Sequence, residues 1–155
     1  MLEKAHHSPL LTHIALDEFD FDQQSDWHGV EHTRNVVNNV RAIGTQDGLE
    51  EQVIRIVECA ALIHDMARTH DRECSQHGYW AVDRKLPERT EKFITYGLSE
   101  EDLEALKFTV IHHCRHDAPK DSPFMRHLTL LKKADALDRK RFPWNDQPPL
   151  DPYRD

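Results

Sequence analysis

The sequence predicts an all-α fold for this chain of 155 residues, and three observations support the prediction. Apolar residues recur at steps of three and four along most of the chain, which is the spacing of one helical face. Residue types that begin helices precede several of these segments. Alternating runs rich in Val, Ile and Thr, which would predict strands, are nearly absent. We therefore expect one compact domain of about six helices over residues 1–155, with its core at 26–142.

Three helices are expected in the first half of the chain. A short helix is predicted at 10–17 and a longer one from Asp26 to Ile43. A third is expected to begin at Asp47, because Asp47 and Glu50 have the spacing of a capping box, and to continue to about Arg68. One stripe of this third helix carries both apolar and ionisable side chains: Ile54, Val57, Ala61, His64, Asp65 and Arg68.

Two helices are expected before residue 96, and proline separates them. The first covers 72–86, and a short helix follows at 88–95, because Pro87 cannot continue the first one. A further helix is expected to open at Ser99, since Ser99 and Asp102 have the spacing of a second capping box.

The last helix is expected to run from Ser122 to Lys140. Ser122 is a favourable N-cap, and Pro123 is favourable at the first helical position. The tail at 142–155 contains too many prolines to continue as a helix.

Composition and charge exclude several classes of function. The formal net charge of −8 argues against general nucleic-acid binding, and the short basic run at 138–142 is sufficient for one phosphate group only. No apolar run approaches the length of about 20 residues that spans a bilayer, so no membrane role is expected. The N-terminal residues lack the pattern of a secretory signal, and the three cysteines show no CxxC spacing. We therefore expect a cytoplasmic protein with reduced thiols.

Ionisable residues interrupt the apolar faces of several predicted helices. They are His32, His64, Asp65, His113 and Asp135. Burying even a neutral polar group without a partner costs about 2 to 7 kcal/mol, and a carboxylate costs more. For any one of these histidines, a hydrogen-bonded core residue is the commoner explanation. For all of them together, convergence on a metal ion is the simpler one, because imidazole and carboxylate are usual metal ligands.

Three segments in this order carry a family resemblance over about 26–142. The segments HGVEHTRNV, ALIHDMAR and LKKADALDRKRF resemble the H…HD…D signature of the HD-domain metal-dependent phosphohydrolases, in particular the small stand-alone HD hydrolases. The resemblance implies an all-helical fold and a divalent metal held by His32, His64, Asp65 and Asp135. Mn, Fe, Co, Ni and Zn suit such ligands, and Mg is possible.

The resemblance also raises the question of a second ion. Relatives with two metals add histidines between the HD pair and the last aspartate, and this chain has His77, His112 and His113 there. His113 has the better helical phase, while His77 can equally be a surface or substrate-facing residue. The Gly-Tyr-Pro signature of the cyclic dinucleotide phosphodiesterases is missing, which argues against that activity.

The implied reaction is hydrolysis of a nucleotide or another small phosphate ester by metal-activated water. Asp65 is expected to bridge the metals and orient the nucleophile, and Arg68 to bind the phosphoryl group as a catalytic residue. His28, Lys132 and Arg139 are further candidates for substrate binding. Asp71 is expected to orient Arg68 or His77. The alternative for each cation is a solvated surface residue.

Two other functions remain open at this stage. Relatives with the same scaffold use a di-iron site to activate oxygen, and a metal-stabilised domain without catalysis can act as a regulator. The C-terminal residues Trp144, Pro148, Pro149 and Tyr153 either fold over the pocket or pack on the surface or a neighbouring subunit. The sequence makes no prediction of oligomeric state.

Overall fold

The computed structural model describes residues 7–142, and these residues form seven α-helices. The helices are α1 (Leu10–His13), α2 (Val30–Gln46), α3 (Glu51–Ile63), α4 (His77–Trp80), α5 (Thr90–Thr95), α6 (Asp102–His112) and α7 (Met125–Arg139). A 3₁₀ turn at Glu18–Asp20 precedes α2, and a π-helical turn at Ala81–Lys85 continues α4. No strand is present within 7–142, so the predicted all-α class is confirmed.

Helix α3 forms the centre of the fold. Every side chain from Ile56 to Ile63 is buried, as expected for a helix that is apolar on nearly all sides. Helix α2 packs against both α3 and α7, and α6 packs against the same two helices. Helix α3 is therefore packed against α2, α6 and α7, which carry or directly precede the predicted ligands His32, His113 and Asp135.

Glu58 is the one charged residue in this buried part of α3. Its carboxylate accepts hydrogen bonds from Ser8, Arg41 and Tyr96. These bonds tie the segment before α1, helix α2 and the end of α5 to the central helix.

Several predicted helix boundaries are wrong. The third helix ends at Ile63, and residues 64–67 form a turn. Asp47 does not cap α3: its backbone N–H donates to the Ile43 carbonyl at the end of α2, and α3 begins at Glu51 without a side-chain cap. The helix predicted to begin at residue 72 begins at His77.

The second capping box is confirmed by its hydrogen bonds. The backbone N–H of Ser99 donates to the Asp102 carboxylate at 2.9 Å, and the N–H of Asp102 donates to Ser99 Oγ at 3.1 Å. This reciprocal pair sets the start of α6 and hence the position of His113 at its other end.

Three further predictions concern the cysteines, membrane spans and the C-terminal tail. Cys59, Cys74 and Cys114 are all free thiols. Within residues 7–142 no helix combines the length and apolar character that a membrane span requires. The proposed lid residues Trp144, Pro148, Pro149 and Tyr153 lie outside the described residues.

Candidate metal centre

Four of the predicted ligands converge at the end of α3. His32 extends from α2, His64 and Asp65 occupy the turn that follows α3, and Asp135 extends from α7. One ligand atom from each of the four lies within 4.8 Å of the others, and all four side chains are buried. Because the turn begins at His64, both His64 and Asp65 point into the space between α2 and α7.

The distances in this first group are those of side chains that face one point. His32 Nε2 lies 2.9 Å from Asp135 Oδ1 and 3.3 Å from Asp65 Oδ2. His64 Nε2 lies 3.2 Å from Asp65 Oδ2 and 3.5 Å from Asp135 Oδ1. Two imidazole nitrogens and two carboxylate oxygens therefore surround a common position.

A second group lies on the other side of Asp65. His77, the first residue of α4, places Nε2 3.2 Å from Asp65 Oδ1, and His113 at the end of α6 places Nε2 3.7 Å from the same oxygen. The two Nε2 atoms are 3.0 Å apart. Asp65 thus faces one group with Oδ2 and the other with Oδ1.

Gly78 allows His77 to reach this position. A Cβ atom at residue 78 would lie 2.2 Å from the Val110 carbonyl oxygen and 3.0 Å from that of Ile111. Only glycine permits such a close approach between the backbones of α4 and α6. Glycine therefore follows His77 for a structural reason, because it allows the two helices to bring His77 and His113 together.

The residues present fit a bound cation. His64 Nε2 and Asp65 Oδ2 are buried and make no hydrogen bond with any described residue. Two such atoms facing each other are costly in the absence of a ligand. Neutral imidazole and ionised carboxylate are the donor types that divalent transition metals take. Asp65, with one oxygen toward each group, fits a bridging role between two ions.

The pKa values of the metal-free cluster also indicate that positive charge is favoured at this position. Burial lowers the pKa of His32, but hydrogen bonds with Asp135 and Asp138, together with the nearby Asp65 carboxylate, raise it to about 10. Burial likewise opposes protonation of His64, and the adjacent Asp65 and Asp135 raise its pKa to about 9. The carboxyls of Asp65 and Asp135 have pKa values well below their ordinary range: burial acts against this, and the neighbouring cationic side chains overcome it.

Hydrogen bonds behind the cluster fix the imidazole rings. His32 Nδ1 donates to Asp138 Oδ2 at 2.6 Å, and Asp138 is held in turn by Asn35 and Arg141. His64 Nδ1 donates to the Ala61 carbonyl at 2.6 Å, and His113 Nδ1 donates to that of Val110. In each case Nδ1 carries a proton, so Nε2 is the atom that can offer its lone pair to a metal ion.

The structure does not bring His112 into either group. Its Nδ1 lies 3.9 Å from Asp117 Oδ1, and its ring packs against Phe108. Adjacent residues of a helix point in directions about 100° apart, so only one of His112 and His113 can face the centre. The assignment of His112 as a ligand is therefore corrected.

The predicted substrate-binding cations occupy different environments. Arg68 Nε lies 3.3 Å from Asp65 Oδ1, and its NH1 donates to the carbonyls of His70 and Arg72. Arg139 Nε lies 2.8 Å from Asp135 Oδ2. Lys132 Nζ donates to the Arg115 carbonyl at 3.0 Å, which ties α7 to the loop after α6.

His28 is buried beside the first group. Its ring lies edge-on to that of His32, with centroids 5.7 Å apart, and its Nδ1 lies 2.7 Å from Asp71 Oδ1. Asp71 also accepts hydrogen bonds from Ser25 and Gln23. Asp71 thus orients His28, and although burial raises the pKa of the Asp71 carboxyl, the nearby positive charge of Arg68 contributes to lowering it.

Sequence reasoning missed two residues at the centre. Asp138 follows Asp135 by three positions and therefore shares its helical face, which is a signal that the sequence contains. Cys114 has a ligand atom within 4.8 Å of those of His77 and His113, although no spacing rule links it to them.

The fold and the site define a helical protein with a buried candidate centre for divalent metal. The family model of the HD domain matches residues 29–140, which include every ligand of both groups. The chain belongs to the HD domain family, whose members bind divalent metals and are typically metal-dependent phosphohydrolases. Comparison with curated proteins and with solved structures found no match.

Proposed function

We propose that this protein is a metal-dependent phosphohydrolase that acts on a nucleotide or another small phosphate ester. The observation that carries the proposal is the position of Asp65 between two sets of imidazoles, with Oδ2 facing His32 and His64 and Oδ1 facing His77 and His113. Such a bridge is suited to a pair of ions that act together on one substrate.

The protein residues have separable roles in this proposal. A bound divalent cation lowers the pKa of water toward 7 and withdraws charge from a phosphoryl oxygen. His32, His64, Asp65 and Asp135 would hold the first ion, and His77, His113 and Asp65 the second. Asp138 and the carbonyls of Ala61 and Val110 keep the imidazoles in the protonation state that binding requires.

Arg68 is the residue that we assign to the phosphoryl group. Its guanidinium is buried next to Asp65, so its positive charge is held at the edge of the second group without full exposure to water. A guanidinium offers several donors in one plane, which matches the spreading charge of a phosphoryl group during transfer. Arg139 pairs with Asp135 instead, and we assign it to orientation of that ligand.

His28 is the residue that we assign to the organic part of the substrate or to its leaving group. Asp71 fixes the proton on Nδ1. Nε2 then acts as a hydrogen-bond acceptor. A hydroxyl or amino group next to the phosphate is the complementary donor.

The experiment is phosphate release from a panel of nucleotides, sugar phosphates and an aryl phosphate. Chelator-stripped protein receives Mn, Co, Ni, Zn, Mg or Fe(II) in separate reactions. We expect metal-dependent release by the wild type and none above background by Asp65→Asn, since the bridging charge is removed while the shape is kept. Asp83→Asn, an exposed carboxylate elsewhere, is the matched control and should retain full activity. Absence of release by protein shown to carry metal would reject the proposal.

One observation favours a second candidate, an iron-dependent oxygenase. The second group offers two imidazoles and one carboxylate oxygen, from His77, His113 and Asp65. Two histidines and one carboxylate are the ligands of many non-haem Fe(II) oxygenases. Oxygen consumption by Fe(II)-loaded protein with phosphorylated or phosphonate substrates tests this candidate, and phosphate release without oxygen uptake would exclude it.

A further inference from the structure

We propose that the second metal position has a sulfur ligand, the thiolate of Cys114, in addition to His77 and His113. The inference concerns metal binding alone, so it does not depend on whether the protein hydrolyses phosphate esters. It changes the donor set at this position from nitrogen and oxygen only to a mixture that includes sulfur.

The first argument is the geometry of the three side chains. One ligand atom each from His77, His113 and Cys114 lies within 4.8 Å of the other two. Ligand bonds of about 2.0 to 2.3 Å to one ion place pairs of donor atoms within this range of each other. The three side chains are therefore close enough to be candidates for sharing one ion.

The second argument is an unsatisfied atom on a fully buried residue. His77 has no accessible surface, and its Nδ1 makes no hydrogen bond with any described part of the chain. The other histidines that surround Asp65 donate this proton to a carboxylate or a backbone carbonyl. His77 lacks that arrangement: because His113 Nε2 presents a lone pair, the His77 proton lies on Nε2 between the two rings, and an ion shared by His77, His113 and Cys114 would replace this proton.

The third argument is the close contact between α4 and the end of α6. The Val110 and Ile111 carbonyls approach the Gly78 Cα so closely that a Cβ would overlap with Val110 O. The Cys114 thiol donates a weak hydrogen bond to the Ile111 carbonyl at 3.8 Å, and Ile111 is one of the residues that contact Gly78. The close approach of α4 to the end of α6 thus brings the sulfur near both His77 and His113.

The chemical step is a simple exchange. The Cys114 thiol loses its proton to the buffer, a bond forms between sulfur and the ion, and no electron is transferred. Cys thiolates select Zn, Fe and Co(II) over Mg and Ca, which take oxygen ligands. We therefore expect the second position to bind Zn, Fe or Co(II) and to remain unfilled when Mg is the only divalent ion present.

Cobalt(II) provides the test, because a Co–thiolate bond produces an intense charge-transfer band in the near ultraviolet that nitrogen and oxygen ligands do not produce. Chelator-stripped full-length protein is titrated with CoCl₂, and bound cobalt is measured after desalting. We expect the band to appear with the second equivalent in the wild type. It should disappear in Cys114→Ser, with second-site affinity lowered by about 10-fold or more.

Cys74→Ser is the matched control, since Cys74 is another partly exposed free thiol that does not belong to the cluster. It should keep the band at full intensity. Cobalt-saturated wild type without the band would overturn the inference, as would a band that persists in Cys114→Ser. If Cys114→Ser does not fold, two other spectra decide. They are the spectrum of the wild type and that of the Cys59→Ala, Cys74→Ser double variant, in which Cys114 is the one remaining thiol.

Discussion

Two buried clusters of charged side chains lie along α3, and they are completed in opposite ways. At Glu58 the carboxylate accepts four hydrogen bonds, with distances of 2.8 and 3.0 Å from Arg41, 2.7 Å from Tyr96 and 2.5 Å from Ser8. At the end of the helix, His64 Nε2 and Asp65 Oδ2 face each other without a hydrogen bond from any described residue. The first cluster is closed by the protein, and the second is open toward a ligand.

This difference in hydrogen bonding distinguishes a buried charge that stabilises the fold from one that is suited to binding a ligand. A buried ion is tolerated when a partner of opposite charge and enough hydrogen bonds compensate for lost hydration. Arg41 supplies that compensation to Glu58. Arg68 donates to Asp65 Oδ1, but Asp65 Oδ2 and His64 Nε2 receive no hydrogen bond from the described residues, so a bound cation is the expected source of the remaining compensation. Breaking the closed cluster should therefore reduce stability, and changing the open one should reduce metal binding.

The largest effect on stability is expected from Glu58→Ala. This change leaves Arg41 with its other partner, Glu51, so we expect a loss near the lower end for broken buried pairs, about 3 kcal/mol. Urea unfolding measures it. Glu51→Ala removes the exposed partner of the same arginine and should cost less than about 1 kcal/mol. Cobalt affinity should be the same in both folded variants as in the wild type, and a selective loss in Glu58→Ala would contradict the separation of the clusters.

Gly78→Ala sharpens the comparison from the side of the open cluster. The added Cβ would meet the Val110 carbonyl oxygen at 2.2 Å, so α4 has to move away from α6. We expect about 1 to 3 kcal/mol of destabilisation and loss of the second equivalent of bound metal, with the first retained.

Gly44→Ala is the control for this variant. Its Cβ would be crowded by Ile54 Cγ1 at 2.7 Å in the core. It should change stability without changing metal stoichiometry. Two equivalents bound by Gly78→Ala at wild-type affinity would show that the close helix contact is not needed.

Asp138→Asn tests the support behind the first group. The substitution keeps the shape but removes the charge that holds the proton on His32 Nδ1. Loss of such a partner typically lowers metal affinity by about 10- to 100-fold, and we expect a value near 10-fold because the amide oxygen can still accept the bond. Calorimetric titration with Zn or Co(II) measures it, and Asp83→Asn provides the surface control. Unchanged affinity would mean that Asp138 serves packing only.

The helical class and the four residues of the first group were predictable from sequence because both depend on short-range regularities. Helical spacing places His32 and Asp135 on inward faces, and the adjacent pair His64 and Asp65 follows the most apolar segment. The helix limits were less predictable. The pattern of α3 continues past Ile63, but the chain turns there, and that turn directs Asp65 between two groups.

The second group depends on contacts that a one-dimensional pattern does not contain. His77 was ambiguous and His112 was wrong, since the decision rests on how closely α4 approaches α6 at Gly78. The hydrogen bond between Asp71 and His28 was missed because it joins residues 43 positions apart in the sequence. Cys114 becomes relevant only once α4 and α6 are placed side by side.

The last expected effect is a dependence of stability on pH that differs between metal-free and metal-loaded protein. Burial opposes protonation of His32, but its carboxylate neighbours raise its pKa from 6.5 to about 10, and the pKa of His64 rises to about 9. A raised pKa adds stability that is fully present below pH 6.5 and is lost as pH rises toward 10. Between pH 7 and pH 8 the metal-free protein should therefore lose up to about 1.4 kcal/mol for each proton that the cluster retains.

Metal-loaded protein should show no such loss in this interval. A bound ion replaces the imidazole protons, so the folded and unfolded states both hold neutral histidines above pH 6.5. Urea unfolding at pH 7 and pH 8, with chelator or with saturating Zn, measures both slopes, and metal affinity itself should rise with pH as fewer protons are displaced. Parallel slopes would mean that the protons on His32 and His64 do not occupy the place of the cation. The Glu58 cluster serves as the internal reference, because its charge is balanced by Arg41 in both states of the centre.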